Sequence, residues 1–151
     1  MTTTLHHPLL AADVDTSAHP RPLGSVGGGP RALLRLEGAA ALAAACVAYQ
    51  MLGGSWGWFA ALFLVPDLSM LGYLVGPRVG AASYNAVHSY LGAALAALLG
   101  ASLHQHALLL MAAIWAAHVG FDRMLGYGLK YATAFGDTHL GQKGRRAAAS
   151  E

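Results

Sequence analysis

Four long apolar runs joined by very short connectors dominate this chain. They fall at roughly Leu33–Leu52, Trp56–Gly76, Ala82–Leu103 and Ala107–Leu125. Each is near the ~20 residues that a helix needs to cross about 30 Å of hydrocarbon. The connectors are Gly53-Gly54-Ser55, Pro77–Gly80 and His104-Gln105-His106. Connectors this short make antiparallel neighbours the simplest arrangement. The expected fold is all-α and integral to a membrane: four transmembrane helices in an up-down-up-down bundle. Composition agrees, because 56% of the 151 residues are hydrophobic and only 11% are charged, against about 25% charged in soluble domains.

The ends differ from the middle. Residues 1–29 are rich in Thr, His, Pro and Gly and read as a disordered lead. No basic stretch precedes their short apolar run, so a signal peptide is not indicated. Residues 30–142 form the expected membrane domain. Its last part, Phe121–Phe135, mixes aromatics with Arg123 and Lys130 and reads as a C-terminal interfacial segment with snorkelling basic groups. Residues 143–151 read as a basic mobile tail. The net charge is only +2. Basic residues gather at Arg21, Arg31 and Arg35, at Arg78, and at Lys130, Lys143, Arg145 and Arg146. Four spans put all of these on one side, which the positive-inside rule assigns to the cytoplasm together with both termini. Trp56 and Trp58 then fall at the opposite interface. Lipid is the expected partner, and no basic face for nucleic acid remains. Small residues in Ala39–Ala45 and Gly92–Ala101 let helices approach closely, inside one bundle or in a homo-oligomer. The single cysteine, Cys46, excludes an internal disulfide and a zinc–thiolate site.

Asp67 is the costly residue. It lies mid-way through the second run, directly after Pro66, where a carboxylate costs roughly 3 kcal/mol on insertion scales and proline strains the helix. Counting from the connectors gives it company at the same depth. Asn85 and His88 share a face of the third run at spacing i, i+3. His118 and Asp122 share a face of the fourth at i, i+4, and Glu37 stands near the cytoplasmic start of the first. Histidines and carboxylates on facing helices suit a divalent metal such as zinc. The candidate metal and catalytic residues are therefore Asp67, His88, His118 and Asp122. Supporting roles fall to Glu37, to Tyr84 and Asn85 as hydrogen-bond donors to a substrate, and to Asp137 and His139 as further ligands or a lid. Arg123 and Lys130, with Arg78, belong at the rim where lipid phosphates lie. Tyr73, Tyr84 and Tyr127 read most simply as interfacial anchors.

Several blocks carry a resemblance: Leu36-Glu37-Gly38, Pro66–Tyr73, Tyr84-Asn85 with His88, His118, Gly120–Arg123, Gly126–Tyr131, Phe135 and Asp137–Gly141. In this order and spacing, over roughly residues 34–142, the chain resembles a bacterial family of small membrane proteins classified only as a domain of unknown function. That resemblance implies a four-span protein of the bacterial inner (plasma) membrane and implies no activity. By site chemistry alone, with no shared linear motif, the cluster is analogous to membrane-embedded metal-dependent hydrolases such as the ceramidase-like superfamily. Three functions remain open at this point. One is a metal-dependent hydrolase acting on a lipid-like substrate. Another is a proton-coupled transporter or channel subunit. The third is a structural protein whose polar network fixes helix register.

Overall fold

In the computed structural model the chain is described from Gly24 to Lys143. Residues 1–23 and 144–151, which hold most of the two expected tails, lie outside the described residues.

Helix α1 spans Gly28–Met51, so Gly28, Gly29 and Pro30 belong to its first turn rather than to the lead. Proline suits that turn, because its missing N–H has no helical partner there. The second apolar run is split into α2, Trp56–Leu62, and a 3-10 helix, Val65–Leu74. The third is split into α3, Pro77–Val87, and α4, Tyr90–Ser102. Helix α5 runs unbroken over His106–Leu125 and ends at Gly126, whose φ of 88° closes it with a left-handed cap. Three helical stretches are long and apolar enough to cross a membrane: Gly28–Met51, Trp56–Leu74 and His106–Leu125. The expected continuous helix over Ala82–Leu103 is absent. Its apolar remainder, Tyr90–Ser102, is shorter than a span.

Helix α5 is central, packing on both α1 and α4, while the 3-10 helix packs on α3. The α1–α5 contact has no room for side chains at its crossing. A Cβ on Gly120 would lie 2.7 Å from the Leu42 backbone nitrogen, and one on Gly38 would lie 2.5 Å from Arg123 Cβ. Large apolar side chains cover the outside, while charged and polar ones are buried. Leu36, Leu68, Leu74 and Leu91 are well exposed, whereas His88, His118, Arg123 and Lys130 are buried. This inverted distribution fits hydrocarbon rather than water as the solvent.

A break in a membrane helix frees backbone groups that lipid cannot satisfy. Here α5 supplies the replacements. The carbonyl of Val87 accepts from Trp115 Nε1 at 2.6 Å, and that of His88 accepts from Arg123 Nη2 at 2.9 Å. On the other broken segment, the Ser69 carbonyl accepts from Ser83 Oγ at 2.8 Å. The ten-residue 3-10 helix is itself long for its type, and such stretches tend to mark functional or strained sites.

The C-terminal segment corrects an expectation. Its first part, Phe121–Leu125, continues α5, and the rest folds back on the helices. Strands β1, Asp137–Thr138, and β2, Gly141–Gln142, pair antiparallel. Leu140 and Thr138 are wholly buried. The side-chain amide of Asn85 holds this segment at two points, donating to the Lys130 carbonyl at 2.9 Å and accepting from the Lys130 N–H at 2.7 Å. The N-terminal lead joins it, with Val26 N–H donating to the His139 carbonyl at 2.8 Å.

Candidate metal centre

Asp67, His88, His118 and Asp122 meet. Each offers one ligand atom, and these four atoms lie within 4.8 Å of one another. They come from three places in the fold. Asp67 is in the first turn of the 3-10 helix, His88 ends α3 at the break, and His118 and Asp122 lie one turn apart on α5. Pro66 stands directly before Asp67, just after the break between α2 and the 3-10 helix.

Three of the atoms form a near-equilateral triangle. His88 Nε2 is 3.1 Å from His118 Nε2 and 3.3 Å from Asp67 Oδ1. His118 Nε2 is 3.5 Å from the same Asp67 oxygen. Asp122 Oδ2 stands slightly further out, 3.7 Å from His88 Nε2. For zinc bound at about 2.0–2.1 Å in tetrahedral geometry, ligand atoms sit about 3.4 Å apart. The triangle has that size.

The orientation of His88 is fixed. Its Nδ1 is 3.1 Å from the Tyr84 carbonyl, which can only accept, so Nδ1 carries the hydrogen. Nε2 then faces the other three groups with a lone pair, or with a second proton shared with Asp67. Tyr84 also stacks on the His88 ring at 3.7 Å between centroids and donates its hydroxyl to Asp122 Oδ2 at 2.9 Å. These are the outer contacts that orient metal-binding histidines and carboxylates. His118 differs. Its ring meets Phe63 edge-on, and its buried Nδ1 has no hydrogen-bond partner among the described residues. His88 and His118 are buried, while the Asp67 side chain is 33% exposed and so is the accessible member.

The other candidates go elsewhere. Glu37 is exposed on α1 and does not join the cluster. Gly38 is the residue turned onto α5, and a one-residue step rotates Glu37 by roughly 100° away. Tyr84, one of the expected interfacial anchors, is buried at the cluster instead, whereas Tyr127 is exposed. Asn85 clamps the C-terminal segment, so its amide is engaged. Arg123 and Lys130 are not at an exposed rim. Arg123 donates to the carbonyls of Tyr127 and His88. Lys130 Nζ donates to the Phe135 carbonyl at 2.9 Å and sits 3.7 Å from the Phe135 ring centroid and 4.8 Å from that of Tyr84. Burial lowers the Lys130 pKa, while the charges of Asp122 and Asp67 pull it back up. Asp137 accepts from Thr133 and Gln142, and His139 Nδ1 accepts from the Leu129 N–H at 2.8 Å. Neither is a ligand in this arrangement. Arg78 is exposed at the start of α3.

Sequence reasoning missed two participants, Trp115 and Phe63, and gave Arg123 a different role. Arg123 and Trp115 mend the helix break, and Phe63 walls the cluster. The spacing Trp115, His118, Asp122 on one helix face was the available signal for Trp115.

No curated protein and no solved structure matches the chain. Residues 31–142 match the family described as domain of unknown function DUF4260, and the chain belongs to that family.

Proposed function

We propose that this is a four-span protein of the bacterial inner membrane, with both termini cytoplasmic, that binds a zinc-class divalent ion and hydrolyses a lipid-like substrate. In this reading His88, His118 and Asp67 are the three protein ligands. The observation that carries it is their triangle, with sides of 3.1, 3.3 and 3.5 Å. Held by these three, the ion would act as a Lewis acid and would acidify a bound water toward neutral pH. Asp122, which accepts from the Tyr84 hydroxyl, would take that proton. The short apolar element Tyr90–Ser102 reaches the length of a fourth span together with the end of α3 across the His88 break.

Elemental analysis of purified protein tests this. About one zinc per chain is expected, lost in His88→Ala and in His118→Ala. Metal content that is absent, or unchanged in both variants, overturns it.

One observation favours a second reading. His118, His88 and Asp67 are in mutual contact, and intramembrane Asp and His groups relay protons in transporters. Proton flux into liposomes that Asp67→Asn abolishes, in metal-free protein, decides for that reading.

A further inference from the structure

A cavity of about 470 Å³ lies beside the cluster, within the 300–1,000 Å³ usual for small-molecule sites. Its walls include Val65, Leu68, Val87, Met111, Ile114 and Trp115, and the single hydroxyl among its lining residues is that of Ser69. The residues that line the cavity neighbour those of the cluster along the chain. Leu68 follows Asp67, Val87 precedes His88, and Ile114 and Trp115 lie one turn before His118. Ser69 is the hinge between the two, since its Oγ lies 3.5 Å from His88 Nδ1. The surrounding surface is apolar, with Leu64, Leu68 and Leu71 each more than 60% exposed. An occupant therefore arrives from hydrocarbon and meets polar groups only at the Ser69 end.

We infer that this cavity holds the single hydrocarbon chain of an acyl amphiphile, with its ester or amide carbonyl presented to the cluster. The inference rests on the metal-centre reading for the chemistry at the head, but not for the chain pocket. In the hydrolysis, the water oxygen bonds to the acyl carbon and the carbon–oxygen or carbon–nitrogen bond to the leaving group breaks. The leaving group departs with a proton, and a long-chain carboxylate remains.

That product suggests the probe. Dibromostearate carries bromines mid-chain that quench tryptophan emission on contact. The chain has three tryptophans, and Trp56→Phe with Trp58→Phe leaves Trp115 as the reporter. In detergent, the expected result is quenching that saturates at one probe per protein and is displaced by unbrominated stearate. Val65→Phe and Met111→Phe, which fill the cavity, remove the saturable component while zinc content stays unchanged. Quenching that rises in proportion to the probe, without saturation or displacement, overturns the inference and leaves the metal centre standing. Saturable quenching in a protein that holds no zinc upholds the pocket and overturns the metal reading instead. If both filled variants misfold, displacement by stearate in the Trp115-only protein decides.

Discussion

Helices α1 and α5 are long and unbroken, and they meet through glycines. The 3-10 helix and α3 are short and interrupted, and they bring Asp67 and His88 to the charged cluster. In lipid a regular helix satisfies its own backbone, so it can pack by shape alone. The α1–α5 seam does this, with Gly38 and Gly120 bringing the backbones into contact. A broken helix needs donors from outside, and here they arrive on α5 as Trp115 and Arg123. The two regions therefore divide the work. One is a scaffold that fixes α5, and the other is a flexed layer whose turns aim Asp67 and His88 at what α5 carries.

That division can be broken experimentally. The largest effect belongs to the cluster: His88→Ala should abolish zinc binding, while Asp67→Asn should weaken it by 100-fold or more, a fall of about 2.7 kcal/mol in binding. Both should leave α1–α5 packing intact, as judged by cysteine crosslinking across that seam. Next comes Gly120→Ala. Its methyl has no space, so a cost of about 1–3 kcal/mol in stability is expected, read as a lower Tm with zinc stoichiometry retained in the folded fraction. If Gly120→Ala instead removes zinc at unchanged Tm, scaffold and site are not separate. Asn85→Ala should cost about 1–2 kcal/mol by releasing two backbone hydrogen bonds at Lys130. Protease cutting between Tyr127 and Lys143 would report it.

The smallest effect is a pH dependence of the folded-back segment. Burial first, and the nearby Arg123 charge second, hold His139 below its usual value of 6.5. The unfolded chain therefore takes up a proton at a pH where the folded one does not. The stabilisation is full above about pH 6.5 and is lost as pH falls through and below that value. Hydrogen exchange of the Leu129 amide, which bonds to His139 Nδ1, should quicken on that acid side. His139→Gln should flatten the dependence.

Much of the cluster was legible in the sequence, and for a physical reason. Hydrocarbon penalises ionised groups so strongly that Asp67, His88, His118 and Asp122 stand out, and counting from short connectors gives their depth. Counting gives no azimuth, so Glu37 was placed in the cluster although Gly38 is the residue that faces α5. The helix breaks were partly visible at Pro66 but not at His88, where no proline or glycine marks the interruption. Arg123 and Lys130 looked like headgroup anchors because burial of a cation depends on distant acceptors. Their partners are carbonyls of Tyr127, His88 and Phe135, which pattern alone does not bring together.

The mended break at Val87 and His88 carries a consequence for biogenesis. The donors that complete it, Trp115 and Arg123, follow those carbonyls in the chain by 28 and 35 residues. Until α5 emerges from the ribosome, the nascent chain holds two orphaned carbonyls and an uncompensated Asp67. Release of the segments before α5 into lipid should therefore wait for it. A chain truncated before His106 should stay bound to the insertion machinery or be degraded, whereas α5 supplied as a separate polypeptide should rescue it.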